Sequence, residues 1–316
     1  MEASNPQVKS NVTSHNAMAV VIISLQAFAG LWINAFIVSV LCVALVKKKT
    51  FNSNEKILLF LGCSRFWYFC VLFMGTFVLT IYPWIYYIHP IPQLDNAIQS
   101  FFTFSNLWAS SSLSVFYCIK IANFQHSFFT FLKAKIDRIV PWLLMASALL
   151  SLIISIFAYK FTDEMHCNNT NATSVENYRG LSVKLDRHFL RIFFISGFGF
   201  ATAFLVVLFS ALLLLFSLWR HKRRMQANSV RNVSMDAHIK AMKSVLSFLF
   251  LYTINFICLT LSLVYGMKQN HEILLIIVFL NNFPAVHSLL LIFSNPKLER
   301  TLLRILLWVK CKVCGR

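Results

Sequence analysis

The stretch ILLIIVFLNNFPAVHSLLLIFSNPKLER, residues 273–300, decides the fold. Its first part, 273–294, is almost wholly apolar and long enough to cross a bilayer, which takes roughly 20 such residues in a helix. A proline, Pro284, and a polar pair, His287 and Ser288, interrupt it, and at Asn295-Pro296 it breaks off into charges. Proline disfavours helix at the residue before it, so the break and the lysine beyond it mark the edge of the lipid. Pro284 lacks the N–H that would pair with the Leu280 carbonyl, which predicts a kink one turn from His287.

Six further segments have the same character: about 17–46, 57–82, 97–119, 139–159, 189–219 and 244–266. With 58% hydrophobic residues, the chain reads as an all-α membrane protein, one seven-transmembrane helix bundle over residues 1–316 with 295–316 as a tail. Pro83, Pro90 and Pro92 suit an irregular first outer loop, and Pro141 suits the first turn of the fourth span, where a missing N–H costs nothing.

A net charge of +18 could suggest a nucleic-acid partner, but its distribution argues for membrane topology instead. The loops 47–56, 120–138, 220–243 and 297–316 carry 21 Lys and Arg, against 7 in 1–16, 83–96, 160–191 and 267–272. Positive charge stays inside, which puts the N-terminus outside, the C-terminus in the cytoplasm and anionic lipids against the basic loops. The glycosylation acceptors Asn11, Asn168 and Asn171 all fall on the outer side. Residues 1–16 lack the basic-then-apolar pattern of a cleaved leader, so the first helix is expected to serve as the insertion signal. Cys167 is the one cysteine on the outer side, which leaves no extracellular disulfide within a monomer.

Within the spans, Arg65 is the one deep charge. It lies nine residues from Lys56, about 14 Å at the helical rise, and Ser288 lies nine residues from Lys297, at the same depth. Asn34, thirteen residues from Lys47, is placed higher, at roughly 20 Å. An arginine facing lipid is costly, so Arg65 is expected to turn inward and bond to the first and seventh helices, with Asn34 and Ser288 as acceptors. The cluster Asn34, Arg65, His287 and Ser288 is either structural glue or a switch whose bonds differ between two states. No second His, Asp or Glu falls predictably beside His287, which favours a neutral, hydrogen-bonded ring over a metal ligand.

The spans contain no carboxylate relay for proton-coupled transport and no H-E-x-x-H, G-x-S-x-G or Walker loop, so the sequence calls for no catalytic residue, metal or cofactor. Seven spans and basic inner loops resemble a G protein-coupled receptor, yet no Asp-Arg-Tyr ends the third span and no Cys-Trp-x-Pro marks the sixth. The blocks LGCSRF (61–66), LSVFYCIKIANFQHSFF (113–129), LLFSLWRHKRRM (214–225), AHIKAMKSVLSFLFLY (237–252) and PAVHSLLLIFSNPKL (284–298) instead resemble the bitter taste receptor family, taste receptor type 2.

That resemblance implies a multi-pass plasma-membrane receptor for small bitter compounds, coupled to a gustducin-type heterotrimeric G protein. It places Tyr117, Lys120, Ala122 and Phe124 on the family's third-helix motif, and Leu214, Ser217, Leu218 and His221 on the fifth-helix one. With Lys243 and Ser247 these are the expected coupling residues. For the ligand, a site of aromatic and aliphatic groups with a few polar ones is expected, and the candidates are Gln99, Thr103, Phe104, Phe194, Phe256 and Ile277. Gln99 and Thr103 stand where many members carry tryptophan and asparagine, and Ala203 where a proline is usual. A pheromone-type receptor and a small-molecule transporter are the alternatives.

Overall fold

A long apolar segment in lipid must bond every backbone group within itself, and a helix does so without a partner. The computed structural model follows this rule over residues 6–48, 50–122, 126–170, 177–227, 233–265 and 271–314, the residues it describes. Side chains are described over 18–47, 50–85, 88–122, 126–164, 195–223, 241–262 and 275–308, with Ile239 and 310–312. The helices are α1 (Pro6–Lys48), α2 (Ser53–Ile81), α3 (Ile91–Ile121), α4 (Ser127–Thr170), α5 (Asn177–Ala227), α6 (Val233–Tyr265), α7 (His271–Ser294) and α8 (Pro296–Cys314), with a 3-10 helix at Pro83–Tyr87. No strand occurs among the described residues.

The helices close a bundle in which α1 packs on α2 and α7, α6 bridges α5 and α7, and α3 takes the centre against α2, α4 and α5. Six are long and apolar enough to cross a membrane, and α3 is not among them. Its position explains this. Its buried residues include Ser105, Asn106, Ser110, Ser111, Ser112 and Ser114, so α3 faces other helices rather than lipid. Small polar residues suit such an interior helix, because they allow close approach and supply hydrogen bonds. Ser155 of α4 illustrates the effect by donating to the Ala97 carbonyl at 2.7 Å.

Several boundaries differ from the sequence reading. Helix α4 begins at Ser127, which puts Pro141 inside the helix rather than in its first turn. The carbonyl of Asp137, which a residue other than proline at 141 would have engaged, accepts the hydroxyl of Ser53 at 3.4 Å instead. The freed group thus becomes a tie between α4 and α2. Pro92 belongs to the start of α3, and Pro83 to the 3-10 helix. Helices α4 and α5 extend to Thr170 and from Asn177, well into the expected outer loop at 160–188. The side chains of Asn11 and Asn168, and all of Asn171, lie outside the described residues.

The largest change is at the tail. Asn295-Pro296 ends α7 and starts α8: Asn295 Oδ1 accepts the Lys297 N–H at 3.0 Å, and proline takes the first helical position, where its missing N–H is no loss. On α8, Leu303, Leu306, Leu307 and Trp308 are exposed beside Arg300, Arg304 and Lys312, the pattern of a helix lying in the membrane surface. Glu55 fastens both helix starts, accepting the Asn52 N–H at 3.2 Å and the Lys297 ammonium at 2.6 Å.

Where α1 crosses α2, Gly30 meets the fully buried ring of Phe69, and a β-carbon at position 30 would fall 2.4 Å from that ring. We expect Gly30→Ala to cost about 1–3 kcal/mol of stability by overpacking. Lower thermal midpoint and surface level are the readouts, and Phe69→Leu on the same chain should restore most of the loss.

Candidate functional site

Arg65 is 1% exposed and sits where α2, α3, α7 and α1 converge. Its Nη1 donates to Ser288 Oγ at 2.8 Å, and its Nη2 donates to His287 Nδ1 at 2.6 Å and to Ser110 Oγ at 3.2 Å. A guanidinium has no acceptor, so Nδ1 of His287 must be unprotonated and the ring proton lies on Nε2. Ser288 Oγ lies 2.8 Å from Asn34 Oδ1 and 2.9 Å from the Pro284 carbonyl, and shares its one proton between them. Asn34 in turn donates to the Gly30 carbonyl at 2.7 Å. Asn34, His287, Ser288 and Ser110 are all buried, and the partners of Arg65 are neutral.

The sequence places Arg65 against Ser288 correctly by depth, but it does not supply the connectivity. Asn34 is reached through Ser288 rather than directly from Arg65. Its expected depth is too high because α1 runs on to Lys48 whereas α2 starts only at Ser53, so the first lysine is a poor common reference. Ser110 was missed. Its signal was the run Ala109–Ser112, a cluster of hydroxyls in a membrane span.

Below this node lies a small apolar cavity of about 50 Å³ between four helices. Leu113 and Tyr117 of α3, Leu214 of α5, Val245 and Phe248 of α6, and Leu291 of α7 line it. Phe248 also lies 4.9 Å, ring to ring, from His287, so one side chain touches both node and cavity. At the lower rim the hydroxyls of Ser244 and Ser294 join α6 to α7 at 2.5 Å, and Tyr117 donates to Asn54 at 3.1 Å.

The expected coupling residues separate into groups. Tyr117 and Leu214 face this cavity. Ala122, Leu214 and Leu218 form a buried contact between α3 and α5, which makes Ala122 and Leu218 packing residues. Lys120 is paired with Asp137 at 2.7 Å. Ser217 is buried, whereas His221 and Ser247 are exposed. Lys243 opens onto a different groove, between α5 and α6, and Phe124 lies outside the described residues.

In the outer half, Phe104 is buried and stacks on Phe200 with ring centres 4.7 Å apart, and Phe256 stacks on Phe204 at 4.3 Å. Gln99 donates to Asp95 one turn away on α3 at 2.9 Å. Thr103 is partly buried, Ile277 is exposed, and the Phe194 side chain lies outside the described set. Between this layer and the node, Tyr252 donates to the Leu107 carbonyl at 3.0 Å and meets Phe283 edge-on.

The family model for Taste receptor protein (TAS2R) matches residues 12–310. The chain belongs to the taste receptor type 2 family. It is 32% identical to human taste receptor type 2 member 9, over 93% of this chain and 95% of that one. It is likewise 32% identical to member 40 of Gallus gallus, covering 95% and 98%, and 35% identical to member 7 of Papio hamadryas, covering 90% of each. Squid rhodopsin superposes with a TM-score of 0.63 at 13% identity, over 92% of this chain and 85% of that one, a likeness of fold alone. The taste receptor is therefore a seven-helix G protein-coupled receptor of the plasma membrane, in a receptor family rather than an enzyme family.

In this receptor the cost of losing a node member should follow its number of bonds. Ser288 joins Arg65 to Asn34, whereas Ser110 holds only Arg65. Interhelical hydrogen bonds in membranes contribute about 0.6 kcal/mol on average and up to about 1.7. Ser288→Ala should therefore lower the thermal midpoint of the detergent-solubilised receptor more than Ser110→Ala. Arg65→Lys should lower it at least as much as Ser288→Ala, since an ammonium lacks the planar fork that reaches α3 and α7 together.

Proposed function

We propose that this receptor binds small bitter compounds from its outer side and activates a gustducin-type heterotrimeric G protein at its inner side. The Arg65 node is the element whose bonds change between resting and signalling states. The observation that carries the mechanism is the double contact of Phe248, which lines the inner cavity and lies against His287. Above it, Phe283 lies 5.7 Å from both His287 and Tyr252, and Tyr252 shares one hydrophobic cluster with the stacked rings of the outer half.

The ligand is received by Gln99, Thr103, Phe104, Phe194, Phe256 and Ile277. Stacked aromatic pairs with a few polar groups suit small, largely apolar compounds. A ligand that shifts Phe256 against Phe204 displaces the rings beneath it, and the inner cavity responds at Phe248. Tyr117 and Leu214 at its wall meet the G protein, with Ser217, His221 and Ser247 as further contacts. Ser244 and Ser294, whose hydroxyls close α6 on α7, must part for that cavity to widen.

Calcium imaging of cells carrying the receptor and a taste-type Gα subunit, challenged with a broad bitter panel, should give responses that vanish without the Gα subunit. Flat responses from verified surface protein would overturn the ligand class. For the switch, the measurement is a double-mutant cycle in agonist potency with Arg65→Met and Ser288→Ala at matched surface level. The combined loss should differ from the sum of the single losses by at least about 0.5 kcal/mol, and additivity would make the node structural glue.

A further inference from the structure

A groove runs between α5 and α6 on the side away from the inner cavity. Leu215 and Lys222 of α5 line it, with Ile239, Met242, Lys243 and Leu246 of α6. Its empty volume is about 460 Å³. Two lysines enter it from facing helices and none of the described residues that line it is acidic, so the groove presents two positive charges to an anionic ligand.

The depth of this groove is fixed by its neighbours. Trp219 is exposed, and the Arg223 guanidinium sits 4.1 Å over its ring, the arrangement of an aromatic anchor at the membrane–water boundary. Lys222 lies within one turn of both residues, hence at headgroup level. Leu215 lies seven residues, about 10 Å at the helical rise, deeper than Lys222. On α6, which runs the opposite way, Leu246 lies one turn deeper than Lys243. Leu215 and Leu246 thus each lie deeper than the lysine of their own helix, with Ile239 on the cytoplasmic side of Lys243.

We infer that this groove binds an anionic phospholipid of the inner leaflet. Its phosphate lies between Lys222 and Lys243, and one acyl chain lies along Leu215, Met242 and Leu246. Lys243 and Ser244 are adjacent in α6 but face opposite ways, the first to this groove and the second to the inner cavity. A lipid bridging Lys222 and Lys243 holds α6 against α5 and opposes widening of the cavity. The lysine that the family resemblance assigns to coupling is therefore a lipid ligand.

The test uses the full-length receptor in nanodiscs of phosphatidylcholine alone or with added phosphatidylserine, without agonist, so its outcome does not depend on the bitter-ligand proposal. Phosphatidylserine should raise the thermal midpoint of the wild type and be retained by it in native mass spectrometry. Two basic residues at a membrane surface account for roughly thirtyfold in apparent lipid affinity, and Lys222→Gln with Lys243→Gln should lose that much. Arg300→Gln with Arg304→Gln, which removes the same charge from α8, should lose less than a third of it. Equal losses in the two double variants would reduce the effect to net surface charge and overturn the site. The site is also overturned if Lys243→Gln leaves lipid retention intact but weakens G protein binding in phosphatidylcholine alone.

Discussion

A single guanidinium in the membrane interior constrains the arrangement of this bundle more than any other group. Among the described residues Arg65 has no carboxylate partner, and its charge is solvated by a ring of neutral acceptors drawn from separate helices. Each acceptor needs an arrangement of its own: Ser288 next to the Pro284 turn, His287 with its proton on the far nitrogen, and Ser110 on a central helix polar enough to supply a hydroxyl. Removing α3 or α7 from this point would strand the charge in hydrocarbon, which is far more costly than losing any one apolar contact. The position of α7 beside α2 is thus dictated by charge solvation as well as by shape.

That requirement accounts for what was legible in the sequence. The depth of a charge in a membrane can be counted along a helix, and Arg65 and Ser288 matched because α2 and α8 both begin at the same surface, fastened by Glu55. The count failed for Asn34 because α1 overruns that surface. Topology was legible because the bilayer sorts lysine and arginine strongly by side. The family was legible because its blocks carry both the deep polar residues, as in LGCSRF within α2, and the inner helix ends, as in LLFSLWRHKRRM on α5.

Tertiary context was not legible. The segment 97–119 reads as a span, but its serines lower its hydropathy, and only the bundle shows that they face other helices. Pro141 suited a helix start until α4 proved to begin at Ser127, and only the long-range bond from Ser53 shows how the interior position is tolerated. The tail was read as charge alone, although its leucines and lysines alternate with the helical period that lays α8 in the surface. At the inner end, motif position could not distinguish Tyr117, which faces the cavity, from Ala122, which is buried two residues beyond Lys120.

The polarity of α3 also bears on how the protein is made. A segment with that many serines gains little from entering hydrocarbon by itself: Ser111 and Ser112 donate back to the Leu107 and Trp108 carbonyls of α3, whereas Ser110 meets Arg65 only once α2 stands beside it. Its integration during synthesis therefore depends on cooperation between helices. Biogenesis of this receptor has its weak point at the centre of the finished bundle, in the helix that ends up best protected.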